Sequence, residues 1–132
     1  MLGNHDRRRA FAEVFPECEA GFRQGRRSFG DTDVLYLDTL GEQAEDRYSG
    51  RLCPDRLDWL KSELEARKRP VIIPSHHQML RSGFDGMDAI SLRNGTGFAN
   101  MITASGRCQM VINGHIHRNI VSSYRGVTHA MI

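Results

Sequence analysis

Two short apolar runs, Val71-Ile72-Ile73 and Met110-Val111-Ile112, constrain this chain more than anything else in it. Each is too short for a helix. Each is also too continuously apolar for a strand with one wet face, so each reads as a strand of a parallel sheet, buried on both sides. A helix is predicted between them over 97–105, with Phe98, Met101 and Ile102 inward. Both runs lead into histidine: Ser75-His76-His77 after the first, and Gly114-His115-Ile116-His117 after the second.

The remaining segments fit round this pair. Met1-Leu2 reads as the stub of a strand entering Gly3-Asn4-His5-Asp6. Asp6 is the expected N-cap of a helix over 7–15, stopped by Pro16, with Phe11, Val14 and Phe15 as its buried face. Residues 26–29 and 34–37 suggest a hairpin across 30–33, and 41–50 reads as a polar loop. Pro54 suits the first position of a helix running to about Arg67, with Leu57, Leu60 and Leu64 as its stripe and Trp59 beside them. Pro70 marks its end. Residues 81–86 read as a loop, and 120–124 with 127–132 as a closing hairpin across Arg125-Gly126. Helices and strands that alternate in this way imply α/β layers, in which sites gather at the C-terminal ends of strands.

Composition narrows the function. At 132 residues the chain has the size of one domain, with 39% hydrophobic and 26% charged residues as in ordinary soluble proteins. No apolar run approaches the roughly 20 residues of a membrane span, and the start lacks the apolar core of a signal peptide, so a cytoplasmic protein is expected. A net charge of +2 gives no argument for nucleic acid or a membrane surface as partner. Cys18, Cys53 and Cys108 are odd in number and widely spaced, which speaks for free thiols rather than a disulfide framework.

The histidines are more telling. Of the 6, all but His129 fall in three short clusters: His5, His76-His77 and His115/His117. In extended backbone His115 and His117 would face one side, with Gly114 allowing close approach before them. That suits metal ligation; the alternative is an exposed polar loop after a core strand. His129 is expected to be a strand residue with no site role. Met79, Met87, Met101 and Met110 are expected to pack, and Asp85 and Asp88 to be turn residues near a loop. The donors Asn4, His5, His76, His77, His115 and His117 are neutral nitrogen and oxygen groups. They suit zinc, manganese, iron or nickel better than calcium or magnesium.

Gly3-Asn4-His5-Asp6, His76-His77 after an apolar strand, and Gly114-His115-Ile116-His117 resemble the third, fourth and fifth motifs of calcineurin-like metallophosphoesterases, in the same order. Arg51-Leu52 with Asp58-Trp59-Leu60, and Met87-Asp88 with Asn94-Gly95, look like the bacterial cyclic-nucleotide and glycerophosphodiester phosphodiesterase branch. The resemblance covers nearly the whole chain. It implies the C-terminal two-thirds of a layered αββα sandwich, in one apparently truncated domain over 1–132. It also implies hydrolysis of a small phosphodiester by in-line attack of a metal-bridging hydroxide. Asn4, His76 and His115 would hold one divalent ion (manganese, zinc or iron) and His117 a second. His5 would act on the substrate phosphate with Asp6 orienting it, and His77 would lie on the substrate side without being a ligand.

Two departures stand against this pattern. Gln78-Met79 follow the histidine pair where relatives commonly carry two prolines. The family's Asp-x-His and Gly-Asp motifs, which supply the bridging carboxylate and the rest of the second ion's ligands, are absent. One ion or none is therefore expected here. A sheet edge or apolar face left uncovered would favour a homo-oligomer. The alternatives are an impaired phosphodiesterase, a non-catalytic self-associating remnant, and a small metal-binding module using His76, His115 and His117.

Overall fold

The computed structural model describes residues 1–15, 21–41, 48–66 and 68–132. Pro16, Cys18, Arg67 and most of the predicted 41–50 loop lie outside them. The elements are α1 (Arg8–Val14), β1 (Gly25–Phe29), β2 (Thr32–Tyr36), α2 (Pro54–Ala66) and β3 (Val71–Ser75). After them come α3 (Asp85–Asp88), α4 (Gly95–Ala104), β4 (Cys108–Asn113), β5 (Ile120–Tyr124) and β6 (Val127–Met131).

The strands form one sheet in the order β1-β2-β3-β4-β6-β5. The four inner strands, β2, β3, β4 and β6, run parallel, and β1 and β5 are antiparallel edges. Both predicted hairpins form. In the first, Phe29 pairs with Thr32, so the turn shrinks to Gly30-Asp31, with Gly30 at φ 53°. In the second, Arg125 and Gly126 both take positive φ, the backbone of the tight turn that matches strand twist.

One face of the sheet carries Leu35, Val71, Ile73, Val111 and Val127 into the core. Leu60 and Leu64 of α2 and Phe98, Ala99 and Ile102 of α4 meet them there. The alternate strand residues Val34, Tyr36, Ile72, Pro74, Met110, Ile112 and Ala130 point the other way and are only half-buried. This is the period of 2 of a pleated sheet in which one layer of helices covers one face.

Several boundaries move. α4 begins at Gly95, and α3 starts inside the expected 81–86 loop. The largest correction concerns α1. It starts at Arg8 with Arg7 as its cap residue, not Asp6, and buries none of its residues. Val14 and Phe15 are 69% and 53% exposed, and Phe15 stacks instead on Phe11 with centroids 4.7 Å apart. The helix is held through its polar side: Arg8 grips the Asp38 carboxylate with Nε–Oδ2 at 2.8 Å and Nη2–Oδ1 at 2.9 Å.

Candidate metal centre

The site forms because two parallel strands stop level with each other. Ser75, last in β3, is the register partner of Asn113, last in β4. The residues that follow, His76-His77 and Gly114-His115, therefore leave the sheet side by side. A third segment arrives from the chain start. Asp6 N–H donates to the Gly3 carbonyl, and Gly3 N–H donates to Asp6 Oδ2 at 2.7 Å, which closes a turn with Asn4 and His5 at its tip. Gly3 leaves room for that ring, since a Cβ there would lie 3.0 Å from His76 Cε1 and press on it.

Three donor atoms converge. His76 Nε2 lies 3.0 Å from Asn4 Oδ1 and 3.2 Å from His115 Nδ1. Ligands held at about 2.1 Å from one ion stand about 3.0–3.4 Å apart, so the spacing fits a shared metal. Proton placement fits as well. His115 Nε2 is 3.1 Å from the Ile90 carbonyl, which can only accept, so Nε2 carries the proton and the lone pair is on Nδ1, toward His76. Burial, reinforced by the neighbouring His115, pushes the His76 pKa down to about 4, and burial also lowers that of His115. Both rings are neutral at neutral pH and need lose no proton to bind a metal. The residues present thus suit a borderline divalent transition ion.

The other predicted site residues behave differently. His77 has ligand atoms within 4.8 Å of those of His76 and His115, but both its nitrogens are engaged. Nε2 donates to the Tyr48 carbonyl at 3.1 Å, and Nδ1 accepts from the Thr39 hydroxyl at 2.8 Å. The ring is fully buried, packed beneath the other two histidines. Gly50 lies so close that a Cβ there would fall 2.5 Å from His77 Cγ.

The expectation that His115 and His117 face one side in extended backbone also fails. Both residues take left-handed φ, 75° and 53°, so alternation does not apply; His115 is buried and His117 exposed. His117 stands outside the one group of three close donors found among the described residues. His5 is exposed, its ring 6.0 Å from that of Tyr48. Among the described residues no hydrogen bond joins Asp6 to His5; the Asp6 carboxylate closes the turn instead.

Of the residues that support the site, Gln78, Asp88 and Asn94 figure in the sequence without these partners being legible, and Asp38 does not stand out at all. Gln78, fully buried, donates from Nε2 to the Met87 carbonyl at 3.0 Å, and its main-chain carbonyl accepts from Leu92 N–H. It thereby ties down the segment that brings the Ile90 carbonyl to His115, a service no proline side chain could supply. Asn94 pairs with Leu52 in both directions, Nδ2 to the carbonyl at 2.7 Å and Oδ1 from the N–H at 3.1 Å. Asp88 accepts from Ser82 N–H, Ser82 Oγ and Gly83 N–H; burial alone would raise its pKa, but these bonds outweigh it and hold the carboxyl low. Asp38, fully buried, is treated likewise by Arg8 and by the N–H groups of Arg23 and Leu40, and its segment presents Thr39 to His77. A lone polar residue ending an apolar run, such as Asn113, was the one available signal.

No family model matches the chain. It is 35% identical over 132 residues to a Rhodopseudomonas palustris protein named "Probable cyclic nucleotide phosphodiesterase", covering 96% of this chain and 48% of that one. It is 27% identical over 138 residues to a glycerophosphodiester phosphodiesterase of Enterobacter lignolyticus, covering 98% and 48%. The chain thus spans about half the length of the curated relatives it matches. In fold it matches a dimetal phosphatase from Danio rerio with a TM-score of 0.78 at 14% identity, over 98% of this chain and 58% of that one. By sequence the chain is thus similar to cyclic nucleotide and glycerophosphodiester phosphodiesterases and by fold to a dimetal phosphatase, which is consistent with its resemblance to the calcineurin-like metallophosphoesterases.

Proposed function

We propose that this chain is one domain carrying the first metal half-site of a phosphodiester hydrolase, with a cyclic nucleotide or a glycerophosphodiester as substrate class. The observation that carries this is the convergence of Asn4 Oδ1, His76 Nε2 and His115 Nδ1 at 3.0 and 3.2 Å. A bound manganese, zinc or iron ion would supply Lewis acidity toward phosphate oxygen and acidify bound water. Asn4, His76 and His115 hold that ion. His117, exposed beside them, offers a ligand to a second. His5, exposed at the tip of the same turn as Asn4, meets the phosphate and passes a proton to the departing alkoxide. Asp6 acts through the turn, whose shape it sets. Free thiols at Cys53 and Cys108 support a reducing, cytoplasmic setting.

The test is metal-dependent hydrolysis of an aryl phosphodiester by this chain, alone and preceded by the upstream half of the Rhodopseudomonas relative. Manganese- or zinc-dependent turnover that His5→Ala lowers by about 100-fold or more supports the reading. No turnover by either form with metal bound would remove it.

A second reading has its own observation. The half-buried face of Val34, Tyr36, Ile72, Met110 and Ile112, with exposed Val121 and Ile132 near it in sequence register, is apolar enough to be covered. It favours a self-associating domain that binds at most one ion and does not catalyse. Metal binding without turnover, together with dimers in solution, is its signature.

A further inference from the structure

Beneath the three converging donors lies a second polar cluster that faces the helix-covered core. Asn113 is 1% exposed and His129, on the neighbouring strand β6, is fully buried. Asn113 Nδ2 donates to Ser75 Oγ at 2.6 Å, to the His77 carbonyl at 3.0 Å and, more loosely, to the Ser75 carbonyl at 3.3 Å. One side chain at the end of β4 therefore binds both residues that flank His76. Its own chain reaches His115 two residues later. Because Nδ2 is committed to these acceptors, Oδ1 faces β6, where it accepts from His129 Nε2. The proton of His129 is thus on Nε2. Its Nδ1 is a buried acceptor with no partner among the described residues.

That orphan nitrogen has a cost. An unpaired buried acceptor destabilises a fold; an apolar residue at 129 would remove this one but would in turn strip the buried Asn113 Oδ1 of its donor. What His129 supplies at this position is a donor pointed at Asn113. An amide can flip its two ends with little change of shape. A fixed N–H on His129 allows only the orientation in which Asn113 grips the end of β3.

We infer that Asn113, held in one orientation by His129, is the positioning residue that sets the separation of His76 and His115 and so the affinity of the metal half-site. The inference rests on the metal reading of those histidines. Neither Asn113 nor His129 touches the ion or the substrate. Outer groups that orient ligands typically alter metal affinity by about 10–100-fold.

The test is cobalt(II) titration of this chain, read by its visible d–d absorption, with the urea midpoint measured on the same samples. His129→Leu is expected to weaken cobalt binding by about tenfold or more, with the urea midpoint lowered only as far as the loss of one buried hydrogen bond requires. His129→Gln, whose side-chain N–H can still donate to Asn113, should stay within about threefold of the parent and retain its absorption band. A purely structural role would lower the midpoint and leave cobalt affinity intact. Equal affinity in the parent and His129→Leu overturns the inference. If His129→Leu does not fold, Ser75→Ala, which deletes one acceptor of Asn113, carries the test with an expected loss of about threefold to tenfold. A parent chain that binds cobalt no better than His115→Ala removes the metal reading itself, and the inference with it. Tight binding by the parent that the second-layer variants leave untouched removes the inference alone.

Discussion

At the scale of single residues, the site is decided by which nitrogen is left free. The Ile90 carbonyl fixes the proton of His115 on Nε2 and turns Nδ1 toward His76. The Tyr48 carbonyl and the Thr39 hydroxyl occupy both nitrogens of His77, adjacent in sequence to His76 and yet withdrawn from ligation. His76→Ala or His115→Ala should therefore abolish cobalt binding, whereas His117→Ala in this chain should change affinity by less than about threefold. Calorimetric titration of the three variants checks this. Gly50→Ala has a distinct expectation. Its Cβ would fall 2.5 Å from the His77 ring, so His77 or the chain must shift, at about 1–3 kcal/mol in stability. A urea midpoint no lower than the parent's would mean that the contact relaxes freely.

At the scale of elements, the strands supply position and the connections supply orientation. β3 and β4 end in register at Ser75 and Asn113, which brings two histidine segments together without any sequence proximity. The segments after them are then clamped by side-chain to backbone bonds. Gln78 reaches Met87, Asp88 gathers Ser82 and Gly83, and Asn94 closes a two-way bond with Leu52. Asn94→Ala leaves the Leu52 N–H and carbonyl without their partner and should cost about 1–3 kcal/mol, read from urea unfolding. Much of the candidate site was legible at this scale. Apolar runs ending in histidine mark strand ends, because continuous β-branched residues have few other stable placements. The buried face expected of α1 does not form, since the Phe11, Val14, Phe15 spacing gives a face without saying whether anything covers it.

For the whole molecule, charge and surface make the predictions. His77 and His129 are buried neutral; burial, joined for His77 by its histidine neighbours, holds their pKa values at about 3 and about 4, against 6.5 for a free ring. The unfolded chain binds more protons than the folded one between these values, so stability rises with pH across that window. It should be fully present above about pH 6.5 and be lost as pH falls toward 4 and then 3. His129→Leu should flatten part of that slope in a series of urea midpoints. A slope unchanged by the substitution would mean that His129 titrates alike in the folded and the unfolded chain and so is not buried in solution. Self-association through the half-buried sheet face predicts a second result. Ile112→Lys, placed at its centre, should shift light scattering at micromolar concentration from dimer toward monomer. A monomeric parent would discard that interface.

The sequence alone determined the layered α/β order, the strand ends and the identity of the donors. These follow from local rules: apolar continuity, turn residues, and the affinity of imidazole for borderline metals. The tertiary structure decided which donors meet. Asn4 and His76 stand far apart in the chain and within 3.0 Å in space. His115 and His117 are neighbours in sequence and are parted by left-handed backbone. The ring nitrogen that stays free at each histidine depends on carbonyls contributed by distant segments. Periodicity cannot encode such partners, because each is set by where a second piece of chain comes to rest.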